Sequence, residues 1–141
     1  MKLKIKRLNK DARMPEYAYE GDAGMDIFSC EDCVIKPKER RLIKTGLSCE
    51  FEKGYVMLIR DKSGLALKKG ITIIAGVVEY TYRGEIGVVM LNNGEEEHKV
   101  NIGDKIAQFV FVPVATADVE EVNVLSETQR GENNFGSSGI R

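Results

Sequence analysis

Apolar residues recur along this chain in short alternating or continuous runs rather than at helical spacing. The runs are KLKIKRL (2–8), VIKPKERRLIKTGL (34–47), GYVMLIR (54–60), GITIIAGVV (70–78), EIGVVML (85–91), KIAQFVFVPV (105–114) and VEEVNVL (119–125). Alternation with a period of two marks a half-buried strand, and short continuous runs suit strands covered on both faces. The breaks hold Gly, Asn, Asp or Pro, as in NNGEEE (92–97) and NIGD (101–104), residue types that set turns. Only SGLALKK, from Ser63 to about Lys69, has good helical character. Ser63 is a natural N-cap there, because its hydroxyl can accept a first-turn amide hydrogen. The pattern predicts an all-β fold of many short strands, sandwich or barrel, with one short helix.

Composition supports that expectation. Val and Ile together number 25, against 9 Leu and 8 Ala, a strand-forming balance. The 141 residues suffice for one domain with a real core, expected over residues 1–129. Residues 130–141, RGENNFGSSGIR, are too polar to pack by themselves and are expected to form a flexible tail. With 21 Lys and Arg against 22 Asp and Glu, no large positive field is available for general nucleic-acid or membrane-surface binding. No apolar run reaches the roughly 18–20 residues of a membrane span, and MKLKIKRL lacks the apolar segment of a signal peptide. The chain is expected to be soluble and cytoplasmic. Its three cysteines, an odd number, suit a reducing compartment. Cys30 and Cys33 form a C-x-x-C pair, and Cys49 with His98 would complete four zinc ligands. No second close pair follows, so ordinary buried thiols are expected instead.

Several stretches carry residue types suited to a nucleotide. In the tail, glycines let backbone amides close on phosphate, Arg130 offers a planar fork, Ser137 and Ser138 add hydroxyl donors, and Phe135 is a flat face for a base. In DKSGLALKKG (61–70), Ser63 and Gly64 open the helix, where free amides attract anions. Glu79 falls at an expected turn within AGVVEYTY (75–82). Gln108 lies inside an apolar strand, where its amide needs a partner.

Taken in order, AGMDI (23–27), DKSGLA (61–66), AGVVEYTYRGE (75–85), GDKIAQ (103–108) and RGENNFGSSG (130–139) resemble the five motifs of the trimeric dUTPases. The resemblance covers essentially the whole chain. It implies a distorted jelly roll or β-clip barrel, a homotrimer with shared active sites, and hydrolysis of dUTP to dUMP and pyrophosphate by water attacking the α-phosphate. It also implies Mg²⁺ chelated by the three phosphates, with Asp26 ordering water around the metal. Lys62, Ser63 and Gly64 would contact phosphate oxygens, and Gln108 would donate to the α-phosphate side or to an ordered water. A hairpin around Ala75, Gly76 and Val77 would read uracil through main-chain groups, while Tyr82 would lie under the sugar and exclude a 2′-hydroxyl. Arg130, Phe135, Gly136, Ser137 and Ser138 would close over the nucleotide, with the phenyl ring on uracil. The chain departs from the family pattern at three positions. Glu79 stands where an Asp orients the attacking water, Lys62 where an Arg stands, and Asn134 where a Gly precedes the tail Phe. Two alternatives follow: a dUTPase-like nucleotide binder or regulator with weak or no turnover, and a dCTP deaminase. The deaminase needs a catalytic Glu on the strand after the hairpin, where this chain has Val89.

Overall fold

The computed structural model describes residues 1–134 and 139, and among them the short runs become strands. In chain order these are β1 (Lys4–Arg7), β2 (Glu16–Tyr17), β3 (Met25–Phe28), β4 (Cys33–Ile35), β5 (Arg40–Lys44), β6 (Leu47–Glu50) and β7 (Tyr55–Arg60). After the helix α1 (Ser63–Lys69) come β8 (Ile71–Ile73), β9 (Val77–Val78), β10 (Gly87–Asn92), β11 (His98–Val100) and β12 (Lys105–Pro113). All pairings are antiparallel. The largest sheet has the order β2-β3-β12-β7-β9, a second has β5-β10-β8, and β1-β6 and β11-β4 form two further pairs. The architecture is all-β and jelly-roll-like, open between its sheets rather than closed into one barrel among the described residues.

Alternation decides which side chains reach the interior. Along β10, Val88, Met90 and Asn92 are buried while Gly87, Val89 and Leu91 are only partly covered. Ile27, Met57, Ile59, Ala107 and Phe109 of the five-stranded sheet share one core with Ile43, Ile71, Val88 and Met90 of the three-stranded sheet, so the inner faces of two sheets make a single apolar layer. The side chain of Phe109 is 1% exposed. Truncating such a residue to Ala removes about 3–5 kcal/mol.

Three local expectations are corrected. The run 34–47 breaks into β4 and β5 at a turn through Pro37, where Lys38 takes a left-handed φ of 66°. The stretch around 75–85 is not a hairpin: β9 pairs with β7, whereas β10 pairs with β5 and β8, so the connection crosses from one sheet to another. The run 119–125 forms no strand. Val119 is 97% exposed and Leu125 81%, and no strand among the described residues pairs with them.

The helix follows the expected bounds. SGLALKK contains no β-branched residue, and it ends at Gly70, whose φ of 67° is the left-handed C-cap and whose N–H donates to the Ala66 carbonyl at 3.1 Å. Its start is different. Lys62, with extended backbone, takes the N-cap position and provides no side-chain cap. Its carbonyl already accepts the Ala66 N–H at 3.0 Å, which puts Ser63 inside the first turn rather than at the cap.

Candidate active site

The first cluster is built at the corner between β8 and β9. Ala75 and Gly76 both have positive φ, 65° and 110°, which turns the chain back against β7. Ile59 N–H donates to the Gly76 carbonyl at 2.8 Å, and a Cβ on Gly76 would come within 2.8 Å of the Ile59 carbonyl oxygen. Only glycine permits both the dihedral and the approach. Beyond β9 the chain turns again, with Tyr82 N–H donating to the Glu79 carbonyl at 3.0 Å. The Arg83 guanidinium then donates to the carbonyls of Tyr80 and Tyr82 at 2.6 and 2.9 Å.

These two turns border a slot of about 670 Å³. Ala75, Gly76, Val77, Glu79 and Tyr82 all line it, so the sequence-predicted nucleoside residues do converge. Glu79 is exposed at its rim. Leu42 and Lys44 of β5 and Val89 of β10 form other parts of the wall. Their outward parity on β5 and β10 was the available signal, but it gains meaning only once those strands are known to pair.

The second cluster surrounds Asp26, which is 2% exposed. It depends on an irregularity in β12. Gln108 faces Asp26 and Ala107 faces Ile27, but Lys105 faces Phe28, with Ile106 left over as a bulge. Strict alternation would put Lys105 and Gln108, three residues apart, on opposite faces. The extra residue brings both to the face of Asp26 and Phe28. The Lys62 ammonium donates to Asp26 Oδ1, and Lys105 Nζ lies 2.7 Å from Oδ2. Oδ2 is sealed from solvent and, that ion pair aside, meets no donor in hydrogen-bonding geometry. Burial pushes the Asp26 carboxyl up, but Lys105 and Lys62 outweigh it and hold the group below its ordinary 3.8. The reciprocal bond to Asp26 raises the Lys105 ammonium above 10.5.

Gln108 donates from Nε2 to the Asp61 carbonyl at 2.8 Å. Its carboxamide lies across Gly24, where a Cβ would sit 2.0 Å from Oε1. Asp61 in turn accepts from Thr72 Oγ1 and from the Ile73 N–H, each at 2.8 Å, tying the start of α1 to β8. Ser63 and Gly64 stand exposed beside this cluster in sequence. None of Asp26, Lys62, Ser63, Gly64 or Gln108 lines the slot, so one chain keeps the two clusters apart. Arg130 is exposed, its Nε donating to the Asn133 carbonyl at 3.1 Å. Phe135, Gly136, Ser137 and Ser138 lie outside the described residues.

Cys30, Cys33 and Cys49 are buried and unpaired. Burial raises all three thiols above the ordinary cysteine range, so they pack as neutral groups.

A concave, mostly apolar slot is the usual form of a small-molecule site. Two lysines around one carboxylate leave a net positive charge. Fold and clusters together therefore define an all-β protein with a small-molecule slot and a separate cationic cluster. A family model described as dUTPase matches residues 10–139. The deoxyuridine 5′-triphosphate nucleotidohydrolase of Clostridium novyi (strain NT) is 51% identical over 99% of this chain and 100% of that protein. That of Clostridium tetani (strain Massachusetts / E88) is 49% identical, over 97% and 96%. Among solved structures, the dUTPase of Staphylococcus bacteriophage 80alpha with dUpNHpp superposes with a TM-score of 0.94 at 33% identity, covering 99% of both chains. A mutant dUTPase from phage phi11 of S. aureus, whose structure reveals the coordination of a structural Mg(II) ion, superposes at 0.83 with 31% identity, covering 88% of this chain and 98% of that one. The chain belongs to the dUTPase family.

Proposed function

We propose that this chain hydrolyses dUTP to dUMP and pyrophosphate. The observation that carries the reading is a tight turn that sets the Glu79 carboxylate and the Tyr82 ring on the same apolar slot. Uracil enters the slot and bonds main-chain groups of Ala75, Gly76 and Val77. Tyr82 lies beneath the deoxyribose and excludes a 2′-hydroxyl by clash, while the tight slot itself rejects a 5-methyl on the base. Glu79 orients a water and takes its proton as the oxygen bonds to the α-phosphorus. The bond from that phosphorus to the bridging oxygen breaks, and pyrophosphate leaves. Lys62, Ser63, Gly64 and Gln108 meet phosphate oxygens, where negative charge grows during bond breaking.

Mg²⁺ arrives as part of the substrate, chelated by its phosphates. The donors around Asp26 suit that arrangement, because two ammonium groups already occupy the carboxylate and favour anions over a bare cation. No group of three or more His, Cys, Asp or Glu that could hold a metal occurs among the described residues. Asp26 would help to order water around that metal.

The working unit is a homotrimer with shared sites. Within one chain the slot and the Asp26 cluster do not share a cavity, and residues 114–134 leave Val119, Val124 and Leu125 in solvent. One subunit supplies the slot, a second the phosphate residues, and a third its tail, residues 130–141, with Arg130, Phe135, Gly136, Ser137 and Ser138 closing over the nucleotide. Three neutral, unpaired cysteines accord with a reducing, cytoplasmic setting, and no helix among the described residues is long and apolar enough to cross a membrane.

Pyrophosphate release measured across the deoxynucleoside triphosphates and UTP, with and without Mg²⁺, tests the reading. Release from dUTP alone, dependent on Mg²⁺, is expected. Equal release from dTTP would exclude the tight slot. Tight dUTP binding without release would establish the binder instead.

A further inference from the structure

We propose that Gly84 sets the sugar selectivity of the slot, because its missing side chain is the space in which the Tyr82 ring is seated. The proposal rests on the reading of Tyr82 as the floor beneath the deoxyribose, and it concerns what fixes the height of that floor. The Tyr82 side chain folds back along its own chain, and its hydroxyl donates to the Glu85 carbonyl at 2.9 Å. A Cβ on Gly84 would lie 2.3 Å from the hydroxyl oxygen, 2.6 Å from Cζ and 2.9 Å from Cε2. Two ring carbons and the phenolic oxygen of one rigid group are involved, so no small rotation of a flexible tip relieves the overlap.

Nothing else at this position calls for glycine. Gly84 does not have a positive φ, so no left-handed backbone conformation requires glycine there. The turn is also held independently of the ring. Tyr82 N–H donates to the Glu79 carbonyl, Arg83 donates to the carbonyls of Tyr80 and Tyr82, and Arg83 Nε lies 3.8 Å from Glu50 Oε2. A methyl group at residue 84 therefore displaces the ring and leaves the turn in place. A displaced ring loses its hydrogen bond to Glu85 and no longer fixes the clearance that separates a 2′-hydrogen from a 2′-hydroxyl. The ligands distinguished are pyrimidine 2′-deoxyribonucleoside and ribonucleoside triphosphates.

The test is the ratio of kcat/KM for dUTP to kcat/KM for UTP in the full-length protein. Gly84→Ala is expected to lower that ratio by about tenfold or more, the scale of one small group in a fitted pocket. Tyr82→Phe, which keeps the ring seated and loses only the hydroxyl, is expected to lower it by less. In the Tyr82→Ala background, Gly84→Ala should change the ratio no further, because the ring through which it acts is gone. A Gly84→Ala protein with an unchanged ratio, beside a Tyr82→Ala protein that has lost it, overturns the proposal. A Tyr82→Ala protein that keeps the ratio overturns instead the reading of Tyr82 as floor. Should Gly84→Ala alone not fold, recovery of folding in the double variant supports the ring–methyl conflict, and its failure to recover rejects it.

Discussion

Replacing Asp26 with Asn removes one charge and reverses one hydrogen-bonding group at the centre of the second cluster. The carboxylate faces Lys62 on one oxygen and Lys105 on the other, so whichever way the new amide is turned, its NH₂ meets an ammonium group. A hydrogen bond to a charged group contributes about 1.5–3 kcal/mol when fully buried. Asp26 is buried, but the Lys62 and Lys105 side chains are 27% and 43% exposed and can swing towards water, which lowers the figure. The expected loss at neutral pH is about 1–2 kcal/mol, or roughly 3–8 °C in Tm for a domain of this size. The folded-state pKa of Asp26 is depressed below 3.8. Its contribution is therefore present above the unfolded value and lost as pH falls through the folded one. Lys105, raised above 10.5, contributes below its unfolded value and loses that contribution only as pH rises through the folded one. The gap between parent and Asp26→Asn should thus be constant across the neutral range and narrow progressively below pH 3.8. Denaturant midpoints from pH 7 down to about 3, at fixed protein concentration, measure it. A gap that does not begin to narrow below pH 3.8, or an Asn protein as stable as its parent at pH 7, refutes the assignment of this carboxylate as the anchor of both lysines.

Other expectations are simpler to read. Glu79→Gln should lower hydrolysis by about 10²–10⁴-fold, the usual contribution of a positioned base, with dUTP affinity within a few-fold by calorimetry. Glu79→Asp is expected to raise turnover, since it restores the reach usual in the family. Deleting residues 130–141 should leave the melting curve nearly unchanged and remove most pyrophosphate release, because the described part of the tail is exposed. Light scattering should give the mass of three chains; an active species of about 16 kDa, close to the 15.7 kDa of one chain, contradicts the shared sites.

Local chemistry made part of this molecule legible in advance. The helix was visible because SGLALKK lacks β-branched residues and ends at a glycine. Gln108 stood out as an amide in an apolar strand, and it does require a partner, the Asp61 carbonyl. Ala75, Gly76, Val77, Glu79 and Tyr82 were identified by the order of their motifs, and they do line one slot. Long-range pairing stayed hidden. Residues 75–82 look like a hairpin until β9 is seen to choose β7. Leu42, Lys44 and Val89 enter the slot wall only because β5 and β10 lie side by side. The apolar run 119–125 carries a strand pattern without telling whose edge it needs. Lys62 looked like a phosphate contact, while its bond to Asp26 joins positions 36 residues apart.

The bulge in β12 makes that strand two-phased. From Ala107 onward it keeps the beat of the apolar layer, whereas Lys105 keeps the opposite beat, and a single buried residue, Ile106, separates them. Register is consequently as informative as identity at this point. Flattening the bulge with Ile106 kept, so that Ile106 faced Phe28, would alter no residue at all, yet it would turn the Lys105 ammonium towards the oily side of the sheet and leave Asp26 with one cation. Any redesign of this strand must therefore conserve the unpaired position between Lys105 and Ala107 or remove it outright, because a residue forced into the ladder there inverts the face of everything before it.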